Sequence, residues 1–197
     1  MQPRHSRAIL ALACVTLLGA CSRDGRDMQE PSANQQESIA VTTTVGAVMT
    51  PVGGFALTPP WAEGAQLDTR FTCANGISPS LTFQNVASDV VTLALSLVDE
   101  TANNSVQWIM ANIELTQTIV AEGAVPTGVI EATNSLGTIG FGAPCPPAGE
   151  THTYRLTGYG LSQQLELENG VDSETLMQAI ELAALDVQSS SFIVTSN

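Results

Sequence analysis

The segment Gly140–Leu156, GFGAPCPPAGETHTYRL, holds three prolines and three glycines ahead of a run that favours a β-strand. Proline fixes φ, and glycine lets the backbone approach other groups closely. The composition therefore predicts a stiff loop that leads into a strand at about Thr153. His152 opens this strand, and Tyr154 points to the same face because residues two apart in a strand share a face. These two side chains are candidates for a common site.

Apolar runs on either side of this segment predict further strands and one late helix. We predict strands at 90–98, 106–115, 153–161 and 164–168, with a closing strand within 189–197. The run at 90–98 is almost continuously apolar, which is typical of a strand buried on both faces. Asp172 or Ser173 can cap a helix, and apolar residues at helical spacing continue to Val187. The domain is therefore predicted to be mainly β, of the α+β class.

The N-terminus has the features of a secretory signal. Arg4 and Arg7 precede an apolar run that is too short to span a bilayer and ends in small residues. The sequence LGAC at Leu18–Cys21 resembles the lipobox of bacterial lipoproteins, in which the cysteine is acylated and becomes the first residue. The alternatives are a plain signal peptide cut near Ala20 and an uncleaved anchor.

With Cys21 acylated, the chain divides into three predicted parts. These are a lipoprotein signal peptide at 1–20, a lipidated, flexible tether at 21–49 and one domain at 50–197. The tether is rich in Ser, Gln, Asp, Glu and Thr and has few large apolar residues, a composition that does not form a core. We expect the lipid to hold an exported protein at the outer membrane or another periplasmic face.

Acidic residues dominate the charge of the chain. The formal net charge is −13, and removal of residues 1–20, with two of the six arginines and none of the 19 acids, takes it to −15. Such a surface repels the phosphates of nucleic acids, so nucleic-acid binding is excluded as a function.

Two cysteines, Cys73 and Cys145, remain after the signal and the acylation site are set aside. An even pair in an exported protein predicts a disulfide, with two free buried thiols as the alternative. A bridge between them closes a loop of about 72 residues. On the chain-entropy model, such a bridge stabilises the fold by roughly 4 kcal/mol.

His152 is the only histidine after residue 20, which limits the possible catalytic and metal sites. A triad of His152 and Asp99 with Ser78 or Ser80 is arithmetically possible, but the chain has no G-x-S-x-G elbow. It also lacks the C-x-x-C and H-E-x-x-H spacings of zinc sites, a P-loop and a dinucleotide fingerprint. The sequence therefore predicts no enzyme activity, no cofactor and no metal.

Four segments, in this order, carry a resemblance to a known family. They are FTCANGISPSLTF at 71–83, LALSLVDETA at 93–102, VQWIMANI at 106–113 and NSLGTIGFGAPCPPAGETHTY at 134–154. Together they resemble the phosphatidylethanolamine-binding protein family, specifically its bacterial Raf-kinase-inhibitor-like branch. The last segment resembles the family's Gly-Tyr-Gly-Gly-Pro-Cys-Pro-Pro-x-Gly…His-Arg-Tyr sequence almost throughout. The resemblance covers the chain from about Phe55 to the C-terminus.

This resemblance implies a large central β-sheet packed on a smaller sheet, with a helix near the C-terminus. It also implies a pocket at the end of the sheet that binds small anions, typically phosphate-like groups. A loop rich in Gly and Pro can form one wall of such an anion site. By resemblance, the ligand-binding residues are Asp99, Gln107, Gly142, Pro147, His152 and Tyr154.

The chain departs from the family pattern in the pocket itself. Gln107 stands where the family has a second pocket histidine, and Thr153 replaces the arginine beside His152. Glu100 and Thr101 replace the Pro-Asp of the family's turn after Asp99. Because the pocket loses possible positive charge, we expect a weaker or altered anion site, or one for a neutral polar or zwitterionic ligand.

The resulting prediction is an exported lipoprotein with a non-catalytic pocket for a small anionic or zwitterionic ligand. The alternative is a protein-interaction module with a degenerate pocket, because the family includes inhibitors of kinases and proteases that act by docking. In that case the partner is a protein that the sequence does not identify.

Overall fold

The computed structural model describes residues 54–196. The predicted signal peptide, the predicted acylation site Cys21 and the predicted tether lie outside the described residues. Twelve elements follow one another within these described residues: β1 (Ala56–Thr58), β2 (Ala65–Gln66), a 3-10 turn (Thr69–Phe71), β3 (Leu81–Gln84), β4 (Thr92–Asp99), β5 (Ser105–Ile113), a second 3-10 turn (Leu115–Gln117), β6 (Ile119–Val120), β7 (Ile130–Glu131), β8 (Thr151–Leu161), α1 (Ser173–Ala183) and β9 (Ala184–Thr195).

The strands form two sheets. The larger has six strands in the order β2-β9-β8-β4-β5-β7, and the smaller has three in the order β1-β3-β6. The β2–β9 pair is parallel and the other pairs of the larger sheet are antiparallel. The expected mainly β, α+β fold with a large sheet, a small sheet and one helix is confirmed.

The larger sheet lies between two apolar clusters, which explains its almost continuously apolar strands. Leu95 of β4 and Trp108 of β5 point toward the smaller sheet, where they join Leu81 and Phe83. Their neighbours in the chain point the other way: Ile109 packs with Leu176 and Ile180 of α1. A strand that is covered on both faces gains from apolar residues at every position.

The helix ends earlier than the sequence predicts. The spacing continues to Val187, but α1 stops at Ala183 and the next residue, Ala184, has the extended angles φ −67° and ψ 127°. The chain therefore passes directly into β9, where Leu185 and Val187 are exposed. The extension of the helix beyond Ala183 was wrong because Ala184 and Val187, which continue the helical spacing, belong to the strand β9.

The prediction of a strand at 164–168 was also wrong. Residues 164–168 pair with no strand, and Leu165 is the one buried residue among them. The backbone of Leu165 is hydrogen-bonded to a side chain instead. The Leu165 N–H donates to Oδ1 of Asn112, and Nδ2 of Asn112 donates to the Leu165 carbonyl, both at 2.9 Å. The amide of Asn112 thus satisfies the backbone groups that a neighbouring strand would otherwise satisfy.

Within residues 54–196, α1 is the one α-helix, and no helix there is long and apolar enough to cross a bilayer.

Candidate ligand-binding site

An open cleft of about 240 Å³ lies where β4 ends and where β5 and β8 begin. Its lining comprises Asp99, Ala102, Ser105, Gln107, Leu136, Ala143, Cys145, Pro147, His152 and Tyr154. Five of the six residues that the resemblance assigned to ligand binding line this cleft, and the exception is Gly142.

Asp99 is the last residue of β4 and is almost fully buried. Its Oδ1 accepts hydrogen bonds from the backbone N–H groups of Thr101 and Ala102, both at 3.0 Å. Its Oδ2 lies 2.7 Å from Nδ1 of His152. One carboxylate therefore both caps the turn after the strand and contacts the histidine, so the turn fixes its position in the cleft.

His152 lies between two carboxylates. Nδ1 is bonded to Asp99, and Nε2 lies 3.1 Å from Oε2 of Glu150. The hydrogen bonds to Asp99 and then to Glu150 raise the pKa of His152 above its usual value, and burial opposes them. Because both bonds favour the imidazolium, the structure favours the charged form of this side chain.

Tyr154 is both a core residue and a lining residue. Its ring stacks on Phe192 at a centroid distance of 5.3 Å and an interplanar angle of 9°. Burial, and then a hydrogen bond to Asp99, raise the pKa of its hydroxyl above the usual value. The phenol therefore stays protonated in the physiological range and can donate a hydrogen bond within the cleft.

Gln107 lines the cleft and is buried. Its Nε2 lies 3.4 Å from the Ser105 carbonyl oxygen and 3.3 Å from Ser105 Oγ. Both distances are long for N–H···O hydrogen bonds, so the amide is held weakly and can turn toward a ligand. The amide supplies hydrogen bonds but no charge.

The Gly/Pro loop forms one wall of the cleft. Gly142 of this loop has a packing role rather than a ligand-binding one. The N–H of Gly142 donates to the Gln107 carbonyl at 2.7 Å, so it is not free to meet a ligand. A Cβ at Gly142 would lie 3.0 Å from Asn134 Nδ2 and 3.1 Å from the Gln107 carbonyl oxygen. We conclude that Gly142 permits close packing of the loop on β5, whereas Pro147 lies in the lining itself.

A disulfide joins the same loop to the segment after the first 3-10 turn. The Sγ atoms of Cys73 and Cys145 are 2.08 Å apart and their Cα atoms 5.3 Å apart. Cys145 also lines the cleft, and the N–H of Cys73 donates to the Pro144 carbonyl at 3.2 Å. The bridge therefore restrains one wall of the cleft.

Charge in the cleft is unevenly distributed. Among the lining residues, His152 is the only one that can be cationic, whereas Asp99 in the lining and Glu150 beside it are acids. Arg155 points to the opposite face of β8, where its Nε donates to Glu100 at 2.6 Å. No group of three His, Cys, Asp or Glu within residues 54–196 is arranged to hold a metal ion.

Sequence reasoning missed Glu150, whose carboxylate contacts His152 directly. It also missed Ser105 and the exposed Leu136, which lie in the lining. Glu150 precedes His152 by two residues, a spacing that places both on one face of an extended segment. That spacing is the signal that could have identified it.

Comparisons with known proteins place this arrangement in a family. The family model described as "Phosphatidylethanolamine-binding protein" matches residues 58–193. A Mycobacterium tuberculosis protein, provisionally named lipoprotein LppC, is 34% identical over 185 residues, which cover 92% of this chain and 91% of that protein.

Two solved structures share the fold, each with a TM-score of 0.67. One is a provisionally assigned phosphatidylethanolamine-binding protein homologue, CT736 of Chlamydia trachomatis, with 26% identity over 74% of this chain and 99% of that one. The other is YbcL of Escherichia coli, described as a member of the mammalian family, with 23% identity over 73% of this chain and 99% of that one. Because the matched region contains both sheets, the helix and the His152 cleft, this chain belongs to the phosphatidylethanolamine-binding protein family.

Proposed function

We propose that the chain is an exported, lipid-anchored binding protein whose cleft takes a small ligand with an anionic oxygen group at His152. The proposal rests on the buried His152, which is hydrogen-bonded to Asp99. Its hydrogen bonds to carboxylates raise its pKa and so favour the charged form. A charged donor in a site of limited exposure makes stronger hydrogen bonds to anionic oxygens than a neutral one does.

The groups around His152 restrict the type of ligand. Asp99 is fixed and acidic, and Gln107 supplies a neutral amide. A ligand with a high negative charge would be repelled by the two neighbouring carboxylates. The cleft therefore suits a group of low negative charge, or a zwitterion, and the neutral amide of Gln107 can bind its other polar atoms.

The hydrogen bonds of His152 support binding without catalysis. A general base needs a free ring nitrogen within reach of a nucleophile. Here both ring nitrogens are bonded to carboxylates, and the hydroxyl of Ser105 interacts with Gln107. The arrangement therefore provides no activated serine at the cleft.

Export and lipid attachment are proposed on two grounds. The LGAC sequence at Leu18–Cys21 resembles a lipobox, and the relative LppC, which covers 92% of this chain, is provisionally named a lipoprotein. Mass spectrometry of protein extracted from membranes should find an acylated N-terminus at Cys21. An unmodified Cys21 in a chain with a different N-terminus would exclude the anchor.

A second candidate is a docking module for a protein partner. Leu136 is 63% exposed in the lining of the cleft, and Ile139 is 53% exposed in the same loop. Apolar side chains at the rim of a cleft are typical of surfaces that bind proteins. This candidate would replace the first if the cleft binds no small ligand.

The two candidates are separated by titrating the protein with phosphate, acetate and glycine. The imidazole proton signal of His152, identified by its absence in His152→Ala, reports on ligand at the cleft. A saturable shift of this signal with any probe at pH 6 supports the small-ligand site. If none of the three probes shifts the His152 signal, the small-ligand site is contradicted.

A further inference from the structure

Both ring nitrogens of His152 are occupied by carboxylates of the chain itself. Nδ1 is bonded to Asp99 at 2.7 Å and Nε2 to Glu150 at 3.1 Å. An external anion would therefore find no free N–H on the imidazolium. We propose that Glu150 is an internal competitor for the ligand, and that an anionic group reaches His152 by displacing the Glu150 carboxylate from Nε2. This inference rests on the function proposed above.

The two carboxylates differ in how firmly they are held. The side chain of Asp99 is 6% exposed, and Oδ1 accepts two backbone hydrogen bonds from the turn after β4. The side chain of Glu150 is 58% exposed, and its bond to His152 is the one side-chain hydrogen bond it makes among the described residues. Exchange with a ligand is thus far less costly at Nε2 than at Nδ1.

The backbone of Glu150 does not need to move for this exchange. Its N–H donates to the Pro147 carbonyl at 3.0 Å, and its carbonyl accepts from the Ser196 N–H at 3.0 Å. These bonds fix the Cα position while the exposed side chain keeps its rotational freedom. The carboxylate can therefore leave Nε2 by rotation about its own side-chain bonds, without unfolding of the loop.

A tethered competitor sets a threshold for ligand affinity. Because Glu150 is attached two residues from His152, its effective concentration at Nε2 is on the order of millimolar or higher. A ligand must bind better than this carboxylate to be retained. Small anions that contact only His152 are excluded, and ligands that also bind Gln107 are selected. Glu150 is thus a specificity-determining residue.

The test compares phosphate binding by the full-length chain with binding by Glu150→Ala and Glu150→Gln. Both substitutions also lower the His152 pKa, because Glu150 helps to raise it. Each protein is therefore measured one pH unit below its own His152 pKa, so that the imidazole is equally protonated. The groups that face this imidazole are Asp99, Glu150 and Tyr154.

Loss of the competitor should tighten phosphate binding at least about tenfold, the effect expected for one charge-assisted hydrogen bond. Glu166→Gln is the matched control for Glu150→Gln, because it removes the same charge from an exposed residue. Glu166 is adjacent to Leu165, whose N–H donates to Asn112. Asn112 lies near the end of β5, whereas the cleft lies where β5 begins. Its phosphate affinity should equal that of the unmodified chain.

Two results would overturn the proposal in distinguishable ways. If phosphate binds the unmodified chain and both Glu150 variants equally, the binding site stands but Glu150 is not a competitor. If phosphate binds none of the three while the His152 pKa falls as expected in the variants, the contact exists but the proposed binding function fails, and the inference fails with it.

Discussion

Asp99 and His152 are joined by a hydrogen bond of 2.7 Å although 53 residues separate them in the chain. Asp99 ends β4, and the antiparallel pairing with β8 places it opposite Tyr154, one step along the strand face from His152. The sheet therefore builds the charged pair directly from strand register.

The stability of the fold should depend on pH through His152. Since Asp99 and Glu150 raise its pKa in the folded state, the protonated histidine stabilises the fold fully below about pH 6.5, the value expected when unfolded. This contribution is lost as pH rises through the higher folded pKa. Chemical denaturation between pH 5 and 9 should show the loss, and His152→Ala should lack it. An identical pH dependence in the variant would contradict the prediction.

Asp99→Asn should lower the His152 pKa more than Glu150→Gln does, because the bond to Asp99 is the larger cause of the shift. The asparagine retains an oxygen that can accept the N–H groups of Thr101 and Ala102, so the turn should persist. Proton NMR titration of His152 measures both values. Equal pKa values in the two variants would contradict the prediction, and a higher value in Asp99→Asn would assign the main role to Glu150.

Gln107→His should strengthen the binding of phosphate roughly tenfold at pH 6, because a protonated imidazole replaces a neutral amide in the lining. Gln107→Met is the control, since it keeps similar volume but cannot donate. Calorimetric titration of both variants gives the comparison. Equal affinities would show that residue 107 does not contact the ligand.

Gly142→Ala should destabilise the fold by about 1–3 kcal/mol, the usual effect of overpacking. The new Cβ would meet the Gln107 carbonyl at 3.1 Å, and a backbone atom of a central strand cannot move aside. Gly54→Ala is the matched control, because a Cβ there meets nothing within 4 Å. Equal free energies of unfolding for the two variants would contradict the proposed role of Gly142.

The sequence predicted the central strands well because burial on both faces leaves a strong apolar signal. It failed at the end of α1, where no glycine or proline marks the stop and where Ala184 and Val187 continue the helical spacing although both lie in β9. It also failed at Leu165, because the partner of that backbone is the side chain of Asn112 rather than a strand. Alternation alone cannot reveal such a partner.

The candidate site was accessible to sequence analysis only in part. The resemblance brought Asp99 and His152 together, although nothing local to either residue indicates the other. Glu150 was missed because it lies before β8, where the turn at Pro147 and the backbone pairing with Ser196 place it beside His152. Gly142 was assigned to the ligand because a glycine-rich loop suggests free N–H groups, whereas its N–H is bonded to Gln107.

The disulfide between Cys73 and Cys145 turns the intervening chain into a covalent ring with a sequence separation of 72 residues. Five strands, from β3 to β7, lie inside this ring, whereas His152 and Tyr154 lie outside it. A protease that cuts one exposed loop within the ring therefore produces two pieces that stay linked through the bridge. The nicked protein would migrate as one band on a denaturing gel without reductant and as two bands with it. Asp99 would also remain covalently tied to the strand that carries its histidine partner.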